Sequence, residues 1–524
     1  MFAPTFTADQ IRRAEQPLLA AQEADDELMQ SAAHAVAEAA GAMLDDTALP
    51  DDAARVLVLA GPGGNGGDGL YAGAELLLAG RRADAFLPAD KTHERALRAF
   101  EAAGGVVLDA LPEPAAGQGY ALVIDALTGI GGSGALRGGL RTAAEWANAS
   151  RAAVLAVDVP SGVDADTGAA GEVHVEADTT VTFGGWRRAH ALSPACGAQL
   201  LADVGLPARR LHETLGDELA EWAADGPPLL LANRAVYPER AWPAGLQTLP
   251  QAPCFDIEPG PRDDKYTGGV VGIRAGSGGY PGAAVLCTAG AVNATPAMVR
   301  YAGPQADEVV RAHPEVVATQ MLDEAGRVQA WVFGPGAGTD DAAAGELRWI
   351  LGQDVPVLID ADGLTLLTEH PDLRELAAQR QHATVLTPHD GEFARLREAA
   401  GVGESDRAGE TLALASRLSC TVVRKGRVTV IAHESDPHTA YAVDAGHSWA
   451  ATPGSGDVLA GVAGAHLALM EAKSLGEEAA LAGAVAVHAV AAKLAAATPY
   501  GDAAAPAGRI AAFIRPATTL VSHA

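Results

Sequence analysis

Two glycine-rich loops, one in each half of the chain, constrain its fold more than any other feature. The first is Gly61-Pro-Gly-Gly-Asn-Gly-Gly-Asp-Gly69, and the second is Thr452-Pro-Gly-Ser-Gly-Asp457. Each precedes small residues at helical spacing. Glycine lets the backbone approach a ligand closely, and the N-terminus of the following helix attracts anions. The loops therefore predict two anion-binding sites of different design.

Short apolar runs alternate with helical patterns in both halves. The run Arg55–Ala60 leads into the first glycine loop, and later runs end at Asp125 and Asp158. This alternation predicts an α/β fold, with a mostly parallel sheet covered by helices on both faces. Ligands of such sheets bind outside the carboxyl ends of the strands. We therefore expect Asn65, Asp125 and residues 158–161 to converge.

The same patterns predict the elements and the domains. Predicted strands cover 55–60, 83–87, 106–108, 120–125, 153–158, 179–183, 270–275, 330–333, 355–360, 384–387, 421–424 and 428–431. Predicted helices include 7–43, with Thr7 as the N-cap, and an alanine-rich 475–497. Prolines interrupt the pattern between the halves. We predict one domain over 1–225, a linker over 226–255 and a second domain over 256–524.

Composition excludes several classes of protein. The chain has 524 residues and a formal net charge of −29, so we expect no nucleic-acid partner. Because it shows neither a signal peptide nor an uncharged apolar run of ~18 residues, we expect a cytoplasmic protein without a membrane partner. The cysteines lack metal-binding or disulfide spacing, which predicts buried free thiols. They are Cys196, Cys254, Cys287 and Cys420.

Three motifs occur in order in the first half: Asn65-Gly-Gly-Asp-Gly69, Val123-Ile-Asp-Ala-Leu-Thr-Gly129 and Asp158-Val-Pro-Ser-Gly-Val-Asp-Ala-Asp-Thr-Gly168. In these motifs the first half closely resembles the YjeF N-terminal family, the NAD(P)H-hydrate epimerases. The resemblance implies a Rossmann-like three-layer domain. The implied activity interconverts the R and S epimers of NADHX and NADPHX, damaged cofactors that carry water on the nicotinamide ring.

The resemblance also implies roles for single residues. It implies a potassium ion bound by Asn65, Asp125 and Ser161, all of which offer oxygen ligands. We expect Asp158 to be the acid/base, with a turn or cap carboxylate as the alternative. For Asp68 we also predict a cap on its helix. The implied substrate-binding residues are Asn65, Gly66, Gly67, Asp68, Gly69, Gly129, Ile130, Gly131, Gly132, Ser133, Gly134, Ala135 and Asp158.

The second glycine loop, together with Arg424-Lys425-Gly426, matches the anion hole of the ribokinase-like superfamily. Four more motifs look like those of the ADP/ATP-dependent NAD(P)H-hydrate dehydratases: 276–283, 333–338, 358–367 and 386–392. The resemblance implies a ribokinase-like α/β domain that phosphorylates the ring hydroxyl of the S epimer and then eliminates phosphate. Bacterial members typically use ADP and give AMP, with Mg²⁺ assisting, and the sequence leaves ADP or ATP open as the co-substrate.

Residue roles in the second half follow from the same resemblance. Asp457 is the expected catalytic base and also contacts the hydrated dinucleotide. The other expected contacts of the dinucleotide are Ala283, Gly338 and His389, although His389 also suits a polar loop position before a helix. The expected nucleotide-binding residues are Lys425, Gly426, Arg427, Val428, Thr429 and Gly456.

Three hypotheses follow for the whole chain. The first is a bifunctional, homo-oligomeric enzyme that repairs NADHX and NADPHX with an adenine nucleotide. The second is a ribokinase-like kinase of a vitamin precursor with a non-catalytic, nucleotide-binding first half. The third treats the first half as a nucleotide sensor or scaffold, against which the presence of Asn65, Asp125, Asp158 and Ser161 argues.

Overall fold

The computed structural model describes residues 2–47, 54–114, 119–131, 135–204, 228–236, 240–252, 257–295, 297–474 and 476–522. The chain forms two compact units. The first unit comprises Ala3–Leu229 and Tyr237–Leu249. The second unit comprises Met1–Phe2, Leu230–Val236 and Pro250–Ala524.

The first unit contains an eight-stranded sheet, parallel except for one edge strand. Its strand order is Leu246–Thr248, Ala198–Ala202, Thr179–Phe183, Ala153–Val157, Tyr120–Ala126, Arg55–Ala60, Arg82–Phe86 and Val106–Leu108. Ala3–Phe6 pairs in parallel with Trp186–Arg187. The helices are Ala8–Ala20, Glu27–Asp45, Gly64–Leu78, Glu94–Ala102, Gly138–Ala149 and Arg188–Leu192.

Alternating side chains of the strand Arg55–Ala60 explain the three layers of this unit. Val56 and Val58 pack with the helices on one face of the sheet, and Leu57 and Leu59 pack with the helix on the other. A parallel sheet that is buried on both faces requires this continuous apolar run. The prediction of a three-layer α/β domain is confirmed.

In the second unit the parallel strands follow the order Val317–Thr319, Val299–Ala302, Val271–Arg274, Ala330–Phe333, Val357–Ile359, Thr384–Leu386 and Thr421–Arg424. The antiparallel strands Val428–Ala432 and Thr439–Asp444 come next, followed by Leu229–Arg234. A small hairpin pairs Ala497–Thr498 with Gly501–Asp502. The helices are Pro281–Ala294, Ala306–Ala312, Asp341–Leu351, Asp362–Glu369, Pro371–Ala378, Asp390–Ala400, Arg407–Leu418, Ser455–Lys473, Glu477–Ala496, Ala507–Ala512 and Ile514–Ser522.

The core of the second unit is built around alanine-rich helices. Glu477–Ala496 is long and apolar enough to cross a membrane by length and composition alone, with a mean hydropathy of 1.7. However, 83% of that stretch is buried, and its residues belong to the main core cluster of the unit. The helix is therefore accounted for as a core element.

The structure differs from the predicted elements in two places. The predicted helix over 7–43 is two helices, Ala8–Ala20 and Glu27–Asp45. The helical conformation is interrupted between them, and Asp26 adopts a left-handed φ of 62°. The predicted cap Thr7 does accept a hydrogen bond from the backbone of its helix. The stretch 226–255, predicted as an irregular linker, contains the strands Leu229–Arg234 and Leu246–Thr248, since its prolines flank these strands.

Three of the four cysteines, Cys196, Cys287 and Cys420, are buried free thiols, as predicted. The fourth, Cys254, lies outside the described residues. Burial raises the pKa of Cys420 and of Cys287, so these thiols stay protonated in the core.

Candidate active sites

The first glycine loop passes extremely close to a neighbouring strand end. A Cβ atom on Gly61 would lie 1.8 Å from the carbonyl oxygen of Leu127, and one on Gly66 would lie 2.0 Å from the carbonyl oxygen of Gly61. Neither backbone contact leaves room for a side chain. Gly61 therefore lets this loop lie against the end of the strand Tyr120–Ala126, and Gly66 lets the loop fold closely on itself.

The predicted role of Asp68 as a helix cap is wrong. The helix Gly64–Leu78 begins earlier than the sequence suggested, and its N-cap is Gly63, which has no side chain to offer. Asp68 is the fifth residue of this helix, so it lies past the position where a carboxylate caps free N–H groups. Its side chain is partly buried and lines a cavity instead.

The three predicted potassium ligands lie together. Asp125 is fully buried, and its carboxylate accepts hydrogen bonds from Ser161 Oγ at 2.6 Å, Ser161 N at 2.8 Å and Leu127 N at 3.2 Å. Asn65 Nδ2 and Ser161 Oγ both donate to the Thr128 carbonyl oxygen, at 3.0 and 3.3 Å. Burial raises the pKa of Asp125 from 3.8 to about 6, against the opposing effect of its hydrogen bonds. Asp125 forms no ion pair among the described residues.

A cavity of about 490 Å³ adjoins this cluster, and Asp158, Arg187 and Glu15 line it. Asp158 adopts a φ of 68°, a left-handed conformation that is rare outside glycine. One of its carboxylate oxygens accepts a hydrogen bond from Thr182 Oγ1 and forms an ion pair with the Arg187 guanidinium, both at 3.0 Å. The other accepts from the backbone N–H of Ile130 at 3.0 Å. Asp158 thereby ties the loop that begins at Gly129 to the sheet.

The predicted phosphate loop 129–135 is only partly described. Gly129, Ile130 and Gly131 line the cavity. A Cβ atom on Gly129 would lie 2.9 Å from Asn65 Oδ1. Ala135 is exposed, and the predicted contacts Gly132, Ser133 and Gly134 lie outside the described residues.

In the second unit, Gly454 and Asp457 surround a helix N-terminus. Gly454 has a left-handed φ of 82° and precedes the helix Ser455–Lys473, in which Asp457 is the third residue. Burial raises the pKa of Asp457 from 3.8 to about 6; Asp360 also raises it, and Lys425 lowers it. A pKa near the working pH suits a group that removes a proton from a hydroxyl.

A cavity of about 400 Å³ lies beside this helix N-terminus. Its lining includes most of the predicted nucleotide-binding residues, namely Lys425, Gly426, Arg427, Thr429 and Gly456. Val428 is buried and does not line it. Lys425 Nζ pairs with Asp360 Oδ1 at 2.5 Å, and a Cβ atom on Gly456 would lie 3.5 Å from that ammonium group.

His389 also lines this cavity, although part of its ring is already engaged. It is the N-cap of the helix Asp390–Ala400, where Nδ1 accepts from Gly391 N at 3.0 Å. His389 therefore occupies a polar position before a helix and also lines the cavity, while its contact with the dinucleotide stays a prediction. Gly338 has a φ of 89° and donates its N–H to Asp362 Oδ2 at 2.9 Å. Ala283 is partly buried near the N-terminus of the helix Pro281–Ala294.

Comparison with known proteins matches both halves. The family model described as "YjeF-related protein N-terminus" matches residues 25–189, and the one described as "NAD(P)H-hydrate dehydratase" matches 271–512. The bifunctional NAD(P)H-hydrate repair enzyme Nnr of Corynebacterium glutamicum is 44% identical and covers 99% of both chains. The protein of that name in Mycobacterium tuberculosis is 46% identical, over 88% of this chain and 89% of the relative.

The chain belongs to the bifunctional NAD(P)H-hydrate repair enzymes. Among solved structures, an ADP/ATP-dependent NAD(P)H-hydrate dehydratase from Bacillus subtilis aligns with a TM-score of 0.42 at 23% identity, over 51% of this chain and 94% of that one. The vitamin-precursor kinase, our second hypothesis, is disfavoured, because these repair enzymes match the first half as well as the second.

Sequence reasoning did not find the charged partners of the site aspartates in this repair enzyme. Arg187 holds Asp158 from a short strand that carries no recognisable motif. The ion pair between Lys425 and Asp360 had a usable signal, since each residue directly follows a strand, and one strand separates these two in the sheet. Glu15 had no such signal, because its helix, Ala8–Ala20, is far along the sequence from every glycine loop.

Proposed function

We propose that the first unit epimerises the R and S forms of NADHX and NADPHX, and that the second dehydrates the S form at the expense of ADP or ATP. The observation that carries the proposal is the pair of separate cavities, each at the carboxyl ends of parallel strands and each lined by its own glycine loop. Full-length relatives that share both halves support it.

In the first unit, the residues around the cavity suit a hydrated dinucleotide. We propose that the N-terminal turns of the helix Gly64–Leu78 and the loop at 129–135 hold the substrate phosphates. Helix N-termini and glycine N–H groups are the usual partners of phosphate. The hydrogen bond from Ile130 to Asp158 supports the proposed place of Asp158 in the substrate site. Whether Asp158 is itself the acid/base stays a prediction.

The donor set at Asn65, Asp125 and Ser161 fits a potassium ion. Amide, carboxylate and hydroxyl oxygens are the ligands a hard cation prefers. A buried carboxylate with a raised pKa and no cationic side chain in the described surroundings is a place where an added cation is stabilising. When bound, potassium would supply positive charge next to the cavity and neutralise Asp125.

In the second unit, we propose that Asp457 removes the proton of the ring hydroxyl. The hydroxyl oxygen then forms a bond to the terminal phosphorus of the nucleotide, and the bond from that phosphorus to its bridging oxygen breaks. A neighbouring ring carbon then loses a proton and the phosphate leaves, and the carbon–carbon double bond that forms restores the reduced nicotinamide. N–H groups at the start of the helix Ser455–Lys473 stabilise the charge on the phosphoryl group.

The remaining predicted contacts divide between the two ligands. We propose that residues 425–429 and Gly456 bind the nucleotide, and that Ala283, Gly338 and His389 bind the dinucleotide. Carboxylates suit Mg²⁺, and those that influence Asp457 are Asp360, Asp362 and Glu392. Mg²⁺ would neutralise charge on the nucleotide phosphates. We further propose that the enzyme works in the cytoplasm as a homo-oligomer, without nucleic-acid or membrane partners.

One assay tests both activities. Racemic NADHX is supplied with ADP or ATP, and the absorbance of the reduced nicotinamide ring is followed. Recovery of the whole substrate supports both sites, whereas recovery of the S half alone, beyond spontaneous epimerisation, contradicts the epimerase. Asp457→Asn should abolish recovery and spare epimerisation. The exposed Asp341→Asn, in the same unit, should change neither activity.

A further inference from the structure

The cavity of the first unit contains two aspartates in opposite situations. Both oxygens of the Asp158 carboxylate already accept hydrogen bonds, from Thr182 and Ile130, and one also forms an ion pair with Arg187. These bonds fix the carboxylate in place and leave little of its acceptor capacity for a ligand. Asp158 is therefore suited to positioning the loop and the substrate.

Asp68 has none of these ties. Its side chain lines the same cavity, and within the described part of the chain no donor hydrogen-bonds to it and no cation pairs with it. The charged groups around Asp68 are Glu15 on the helix Ala8–Ala20, Asp158 directly after the strand Ala153–Val157, and Arg187, which lines the same cavity. Burial is the main cause that raises the pKa of Asp68 well above its ordinary value, and the negative charges of Asp158 and Glu15 add to it.

The second unit repeats this arrangement with different residues. Asp360 is tied to Lys425, while the carboxyl of Asp457 has no hydrogen-bond partner among the residues described and has a raised pKa. Asp457 is the expected proton-transfer group there. Each unit thus contains a cation-paired aspartate and, on the first turns of the helix that follows a glycine loop, an aspartate without a hydrogen-bond partner among the described residues.

We propose that Asp68 is the residue that transfers protons in the epimerase site. This inference rests on the proposed function of the first unit. It assigns to Asp68 the chemistry that the sequence suggested for Asp158, and it leaves Asp158 as a positioning residue.

The hydrated ring is a cyclic hemiaminal, in which one carbon carries the hydroxyl and bonds to the ring nitrogen. The neutral Asp68 carboxyl donates its proton to that nitrogen as the carbon–nitrogen bond breaks, and its second oxygen accepts the hydroxyl proton as the carbonyl forms. The opened aldehyde rotates about its carbon–carbon bond. The reverse steps then close the ring on the other face, return both protons and need no co-reactant.

The test compares Asp68→Asn and Asp68→Glu with wild-type enzyme in the full-length chain. The substrate is R-NADHX, the coupling nucleotide is ADP, and the spontaneous rate is subtracted. We expect Asp68→Asn to lower kcat for epimerisation by about 10²–10⁴-fold, the usual contribution of a proton-transfer group, with little change in KM. Asp68→Glu should retain part of kcat. Asp109→Asn, an exposed aspartate of the same unit, should match wild type.

The other readouts separate proton transfer from a structural role. Because the neutral acid is the active form, wild-type kcat should fall as the pH rises through the pKa of Asp68, and this limb should be absent in Asp68→Asn. Calorimetric unfolding of the first unit, compared with wild type, reports whether the variant still folds. If Asp68→Asn does not fold, the wild-type pH limb decides. A change in KM alone, or unchanged kcat, overturns the inference. If wild type itself does not epimerise, the proposed function fails instead.

Discussion

The ion pair between Lys425 and Asp360 gives a quantitative prediction. Lys425 Nζ lies 2.5 Å from Asp360 Oδ1, and the two side chains are 16% and 2% exposed. Removing one partner of a buried ion pair leaves an uncompensated charge, which costs about 3–5 kcal/mol, whereas replacing both partners is far less costly. We therefore expect Lys425→Met to destabilise the second unit by about that amount, or roughly 10 °C in Tm.

The measurement is a double-mutant cycle with Lys425→Met, Asp360→Asn and the double variant, followed by calorimetry. The expected coupling between the two residues is about 2 kcal/mol or more, because they are in contact. Lys493→Met is the matched control, since Lys493 pairs with Asp502 where the side chains are 39% and 30% exposed. Exposed pairs contribute about 0–1 kcal/mol. Additive effects in the cycle, or a Lys425→Met no worse than Lys493→Met, would refute the argument.

Three further predictions concern single groups. Dehydration of S-NADHX should slow as the pH falls through about 6, because burial raises the pKa of Asp457 to that value and a base must be deprotonated to act. In the pH–rate profile of Lys425→Met this loss of rate should begin at higher pH, since Lys425 lowers the pKa of Asp457. Replacing potassium by a bulky organic cation should lower both the Tm of the first unit, measured by calorimetry, and the epimerisation rate. In Asp125→Asn neither the Tm nor the rate should respond to this exchange of cations. Gly61→Ala should destabilise the first unit by about 1–3 kcal/mol in denaturant unfolding, because the added Cβ would lie 1.8 Å from the Leu127 carbonyl oxygen.

The strands that carry the sites were the predictable part of the fold. Arg55–Ala60 and Tyr120–Ala126 are buried on both faces, so their sequences are continuous apolar runs. Ala198–Ala202 and Thr439–Asp444 were missed because they mix small or polar residues with apolar ones. The break before Asp26 was also missed, since neither glycine nor proline marks it.

Site residues could be predicted from the sequence where they lie next to a predicted strand. Asn65 and Ser161 follow strands of a parallel sheet and Asp125 lies at the carboxyl end of one, so sequence alone placed them at one edge, and the structure brings them together there. Arg187 could not be found in this way, because its role depends on a contact with Asp158 and on burial. Neither property leaves a pattern in the sequence near Arg187.

The charged partners matter because they decide which aspartate can exchange a proton. A carboxylate that is paired with a guanidinium or an ammonium group is stabilised in its ionised form, which can only accept hydrogen bonds. Asp158 and Asp360 are paired in this way. A carboxyl that is buried without such a donor has a raised pKa, as Asp68 and Asp457 have. Both units contain one paired and one unpaired aspartate, but the units are built on different sheets, and the paired aspartates contact different cationic side chains, Arg187 and Lys425. Both proposed reactions need a proton carrier beside phosphate-bearing ligands, and a carboxyl without a charged partner on the first turns of a helix would meet that need.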